Sequence, residues 1–211
     1  MHDYWIEFSK VALAHLLAVA SPGPDFAIVL KQSLAHGRRT AIWTSIGVGV
    51  AILLHVTYSL LGLGLLIRGS VVWFNIVKYA GAAYIAWLGV QALRAKPLDP
   101  VAIIDRGGKS TPKPHGAFAT GFLTNALNPK VTLFFLSLFI LIVSPTTPKW
   151  IQGIYGLWLS VATIGWFCLV SVIFTREGVR NRFLRYGHWI DRVLGVVFLV
   201  FALSLALASV R

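Results

Sequence analysis

Two short segments of this chain hold residue types that can do chemistry only when they are placed with care. The first is Ser21-Pro22-Gly23-Pro24-Asp25, and the second is Asn125-Ala126-Leu127-Asn128-Pro129-Lys130. Each lies about midway through an apolar stretch, Val11 to Leu30 for the first and Phe118 to Val143 for the second. A carboxylate in such surroundings must be paired, protonated or hydrated, so Asp25 can exchange a proton or hold an ammonium group. Lys130 is too deep to reach a headgroup region easily; it can counter a bound carboxylate or neutralise Asp25 as a structural ion pair. Asn125 and Asn128 offer neutral donors and acceptors on neighbouring turns, suited to replacing the water around a zwitterion or to capping freed carbonyls. Pro22, Gly23 and Pro24 cannot sustain a regular helix, and Pro129 frees carbonyls one turn earlier. The helix half starting at Pro24-Asp25 offers free N–H groups to a bound anion or to Asp25 as its own N-cap, two uses that compete. Unpaired backbone at this depth survives only where protein or water satisfies it, so both breaks should line a cavity.

The elements that must position these residues follow from composition. Of 211 residues, 57% are hydrophobic and only 12% charged, with a mean hydropathy of +0.75. A soluble globule of this size would have to hide more apolar surface than its interior holds. The apolar residues fall in six runs, each near the roughly 20 residues that a membrane-crossing helix needs. Helices are expected near 5–35 (broken inside), 40–67, 71–94, 116–143 (broken inside), 150–174 and 190–209. The expected fold is therefore all-α, a polytopic integral membrane protein of six transmembrane helices forming a single domain, 1–211. A Pro- and Gly-rich linker over 96–115 separates a first half, 1–95, from a second half, 116–211. With an odd number of spans in each half, the second half enters the membrane from the opposite side, so the halves are inverted. The broken first and fourth helices then occupy corresponding positions, the best sequence pointer to a transport site. A weaker echo aligns Lys78-x-x-Gly81-x-x-Tyr84 with Arg192-x-x-Gly195-x-x-Phe198.

The net charge of +12 has a topological explanation. Lys and Arg concentrate in the connections after the first, third and fifth spans, against Lys10, Arg68, Lys149 and Arg211 on the other side. That places the linker in the cytoplasm and both termini outside, and the basic balance reflects orientation and anionic lipid, not a nucleic-acid partner. Val11 to Ala20 resembles a secretory h-region, but Asp3 and Glu7 precede it and Pro22 follows it, so it is expected to remain as the first span. Cys168, the one cysteine, excludes an internal disulfide, and the six scattered His form no metal-ligand grouping. His55, near the middle of the second span, is a candidate proton relay to Asp25. His15 and Lys78 are expected to be shallower and structural. Trp43, Trp73, Trp150 and Trp189 sit near span ends as interface anchors. Gly47, Gly49, Gly62 and Gly64 should permit close helix contact.

Taken together, the segment Ser21-Pro22-Gly23-Pro24-Asp25, the second span ending Leu60-Leu61-Gly62-Leu63, the Gly81-x-x-Tyr84-x-x-Trp87-Leu88-Gly89 stretch and Gly121 to Lys130 resemble a known family over essentially the whole chain. It is the lysine exporter superfamily, in its homoserine/threonine exporter branch (LysE/RhtB). The resemblance implies a bacterial inner-membrane exporter of amino acids or close derivatives, with six helices and the proton gradient as its energy source. Members differ in substrate, among basic amino acids, threonine, homoserine, leucine and sulfur compounds.

The expected function is thus secondary-active export of a small amino acid such as threonine, homoserine or leucine, without cofactor. The site would comprise Ser21, Pro22, Gly23, Pro24, Asp25, Asn125, Asn128, Pro129 and Lys130. The interior offers no further acid for a dibasic substrate, which favours a small neutral one. Six helices are few for a closed transport path, an argument for a homodimer. A membrane enzyme would need a nucleophile–base pair or an acid dyad, and neither Asp25 nor His55 has an evident partner. A metal or inorganic-ion exporter would need clustered ligands.

Overall fold

The computed structural model describes residues 3–21, 23–69, 71–96, 111–174 and 177–207; Pro22 and linker residues 97–110 lie outside them. Among the described residues the chain forms eight helices and no strand: α1 (Tyr4–Ala20), α2 (Pro24–His36), α3 (Arg38–Gly69), α4 (Val71–Leu93), α5 (Pro114–Ala126), α6 (Pro129–Leu141), α7 (Lys149–Ile173) and α8 (Glu177–Leu207).

Local sequence accounts for the boundaries. The Asp3 side chain caps α1 by accepting from the N–H groups of Trp5 and Ile6. Ser21, which precedes a proline, turns extended and ends α1. Gly23 is extended too, and Pro24 starts α2 at the one helical position that lacks nothing without an N–H. Gly37, at φ +80°, takes the left-handed conformation that closes α2 and lets α3 begin at once. Pro114 opens α5 and Pro129 opens α6 by the same rule. The axes of α1 and α2 meet at 53° and those of α5 and α6 at 57°, so both expected breaks are present.

Arg38–Leu61, Lys149–Ile173 and Arg185–Leu207 are long and apolar enough to cross a membrane, and each bent pair taken as one span raises the number to five. The 23 residues of α4 measure about 34 Å, comparable to the roughly 30 Å hydrocarbon core. The last helix begins at Glu177, well before the expected 190. Apolarity marks where a helix enters the bilayer, whereas the basic residues before it are good helix formers and continue the same helix outward. Along α8, Val193, Val196, Val200, Leu203 and Leu207 are exposed while Leu194, Phe198, Ala202 and Leu205 are buried. An apolar outer face at helical spacing suits contact with lipid tails.

Helix α3 is the centre of the packing. A Cβ on Gly47 would lie 2.1 Å from the Phe118 carbonyl and one on Gly121 2.0 Å from that of Thr44, so α3 and α5 touch backbone to backbone. On its other side Gly49 faces α7, where Ser160 donates to the Gly49 carbonyl at 2.7 Å. Small residues of this kind replace the hydrophobic drive that lipid cannot supply. The close-contact expectation holds for Gly47 and Gly49. Gly89 and Gly195 bring α4 against α8 in the same way. Helix α3 thus packs on α7, and α4 on α8. Buried Glu7 on α1 accepts from the Ser144 N–H at 2.9 Å and the Thr147 hydroxyl at 2.9 Å, tying the first span to the α6–α7 connection.

Candidate functional site

The two breaks meet. Asp25 stands in the first turn of α2, and its Oδ2 accepts from Asn125 Nδ2 at 3.0 Å and from Asn128 Nδ2 at 3.2 Å. Its Oδ1 is buried without a hydrogen-bond partner, as is Asn125 Oδ1. Two amide donors on one oxygen fix the direction of the carboxylate. The N-cap of α2 is Gly23, without a side-chain hydrogen bond, so Asp25 does not cap its own helix. Lys130 Nζ donates to Ser21 Oγ at 3.0 Å and stands 5.1 Å from the Phe198 ring centre, within cation–π range. No hydrogen bond joins Asp25 to Lys130; the ammonium lies over Gly23, where an added Cβ would come within 3.2 Å of it.

The second break is closed by its own Asn128 together with His55 of α3. Asn128 Oδ1 caps α6 by accepting from the Lys130 N–H at 3.0 Å. Pro129 has no N–H for the carbonyl four residues earlier, that of Asn125. That carbonyl is taken instead by the Asn128 N–H at 2.9 Å and by His55 Nε2 at 3.1 Å. The other ring nitrogen of His55 meets the Tyr58 hydroxyl.

A cavity of about 50 Å³, room for a few waters, lies between the breaks. Every helix contributes to it: Ser21, Gly23, Pro24, Asp25, Asn125, Asn128 and Lys130 form its polar part, and Ile52, Ile85, Leu88, Phe134, Phe167 and Phe198 are among its apolar walls. Of the residues expected from sequence, Pro129 acts from behind by starting α6, and Pro22 lies outside the described residues. His55 is fully buried but does not line the cavity, and reaches Asp25 only through Asn125.

Sequence reasoning missed three residues here. His15 and Thr163 line the cavity at 2% and 1% exposure, with His15 Nε2 2.9 Å from Thr163 Oγ1. His15 was expected to be shallow, yet it lies two turns before Pro22, and that helical spacing is a signal that sets it on the face of the break. Asp191, expected at a span end, lies within electrostatic reach of Lys130. It is two turns before Phe198 on α8, on the same helical face. Lys78, also expected to be shallow, is buried, with its ammonium 4.4 Å from the Tyr79 ring centre. No group of three or more His, Cys, Asp or Glu able to hold a metal ion occurs among the described residues.

The LysE type translocator family matches residues 16–209 of this chain. The chain belongs to the LysE family of translocators. This LysE translocator is 31% identical over 204 residues to the threonine efflux protein of Escherichia coli (strain K12), with 95% of this chain and 98% of the relative covered. It is 32% identical over 196 residues to the leucine efflux protein of Klebsiella pneumoniae, with 88% and 87% covered. No solved structure matches it. As a LysE translocator it is a multi-pass membrane protein that moves a cargo rather than transforming one, and the cavity between its two broken helices is the candidate cargo site.

Proposed function

We propose that this translocator exports small neutral amino acids, such as threonine, homoserine or leucine, from the cytoplasm in exchange for protons. The observation that carries the reading is the half-satisfied carboxylate: two asparagines hold Asp25 Oδ2, and Oδ1 is left without a partner. An α-ammonium brings three N–H donors, and Asp25 Oδ1 with Asn125 Oδ1 can accept two of them. The α-carboxylate then faces Lys130 Nζ and the α2 N-terminus, which has no side-chain cap. Asp25 alternates between the ammonium and a proton, which links efflux to the proton gradient without a cofactor. The apolar walls favour a neutral side chain, in keeping with relatives named for threonine and leucine efflux.

Six spans in two inverted halves, in a bacterial inner membrane with both termini periplasmic, belong to the same reading. The distribution of Lys and Arg supports it, and so does the packing of equivalent spans on each other. Rocking of one half against the other would alternate access, and a homodimer suits so small a set of helices.

The test is efflux of preloaded labelled threonine, homoserine and leucine from vesicles, with and without a proton gradient, in wild type and Asp25→Asn. Gradient-dependent efflux is expected in wild type. Losing a charge-assisted bond of about 3 kcal/mol should lower it about 100-fold in the variant. Undiminished efflux in Asp25→Asn would make the carboxylate structural and end this reading of the site.

A further inference from the structure

Beyond the ammonium and carboxylate ends of the site, the cavity wall is apolar except at one place, where α1 and α7 present His15 and Thr163. The ring of His15 is fixed among Phe134, Phe135 and Trp158, with centroids 6.4, 6.0 and 6.4 Å away. Its Nε2 is engaged with Thr163 Oγ1, while its Nδ1 is buried without a partner. His55 provides an internal contrast. It is equally buried and also packs on Phe135, yet both its nitrogens are occupied, by the Asn125 carbonyl and the Tyr58 hydroxyl. The surroundings of His55 complete it, whereas the second nitrogen of His15, in the cavity wall, is open to a donor held in the cavity.

We propose that His15, held by Thr163, reads a hydroxyl on the substrate side chain and so selects threonine and homoserine over leucine. This specificity rests on the exporter reading above. A neutral imidazole carries one donor and one acceptor nitrogen. Nε2–H can donate to Thr163 Oγ1, and in that tautomer Nδ1 is the acceptor to which a substrate hydroxyl supplies the missing donor. Leucine, bulkier and without a hydroxyl, leaves Nδ1 unpaired, and a site built to bond a hydroxyl discriminates against an analogue without one far better than an apolar pocket discriminates by size. Thr163 sets the direction of the ring and so acts as a positioning residue.

The experiment measures the ratio of initial threonine to leucine efflux from vesicles loaded with both, a quantity independent of how much transporter is present. Wild type should favour threonine by at least about tenfold. In His15→Phe the ratio should fall toward one because threonine efflux drops more than leucine efflux. Thr163→Val, which frees the ring without removing it, should give an intermediate ratio, and His15→Gln, which restores an acceptor, should recover part of the preference. An unchanged ratio in both His15→Phe and Thr163→Val, with both amino acids still exported, would overturn the inference and leave the exporter reading standing. So would a parallel fall of the two rates in both variants. Wild-type vesicles that export neither amino acid would instead overturn the exporter reading, and this inference with it.

Discussion

The two broken helices bend by similar angles, 53° and 57°, yet they are finished differently. The backbone freed at the break between α5 and α6 is satisfied: Asn128 caps the helix that follows, and the Asn125 carbonyl freed by Pro129 is taken by Asn128 and by His55 of α3. The break between α1 and α2 is not closed in this way. Its helix starts at Gly23 without a side-chain cap, and its carboxylate is held at one oxygen by residues of the other break. The first break thus leans on the second, and the proposed cargo would complete what the pair leaves open, Asp25 Oδ1 and Asn125 Oδ1. A transport site needs both, because an interruption left open on both sides would expose too many unpaired groups to survive in the membrane.

Both breaks depend on the close crossing of α5 with α3. Gly121→Val places a side chain where the Thr44 carbonyl lies 2.0 Å from any Cβ, and backbone cannot move aside as a side chain can. Loss of nearly all folded protein is expected on size-exclusion chromatography in detergent; a normal yield would mean that the close crossing is not needed. The next largest effect is expected for Asn128→Ala, which removes the α6 cap, about 1 kcal/mol, and one donor to Asp25. Efflux should fall about tenfold or more, with a lower thermal midpoint, since a hydrogen bond to a charged group contributes about 1.5–3 kcal/mol.

A sharper test of the division of labour is His55→Phe. If His55 completes the scaffold, stability should drop by about 1–2 kcal/mol for the carbonyl it leaves half-satisfied, while efflux per folded molecule changes little. Abolished proton coupling with an unchanged thermal midpoint would return His55 to the relay role its depth in the sequence suggested. The smallest effect should come from Gly23→Ala. Its extended backbone accepts alanine, and the neighbour at 3.2 Å is the flexible end of Lys130. A shift of a few tenths of an ångström should reduce efflux only about twofold, the modest cost of slight overpacking where a neighbour can yield.

Much of the architecture was legible because proline, glycine and charge act locally. Pro24 and Pro129 had to start helices, Gly37 had to end one, and a run of apolar residues around Asp25 or Lys130 had to leave that charge deep. What stayed hidden was who meets whom. Residue type alone makes the two asparagines cargo ligands or caps for freed carbonyls; the fold adds that Asn128 caps an N–H group and that both amides orient Asp25. His55 was set beside Asp25 by depth alone, and the fold turns it toward a carbonyl. His15 was read as structural although helical spacing put it on the face of the break. Its partner Thr163 is 148 residues away, and no local pattern connects them.

The sequence by itself determined that this chain is a helical membrane protein, that two of its spans are interrupted, and that one carboxylate and one ammonium lie at the interruptions. Those properties follow from backbone chemistry and transfer energies that each residue carries wherever it goes. Only the tertiary structure decided that Asp25 faces two asparagines and Lys130 a serine, that His55 helps close one break, and that a histidine and a threonine complete the cavity wall. Hydrogen bonds depend on distances of a few ångströms between helices, and those distances are set by glycine crossings whose partners lie far apart in the chain.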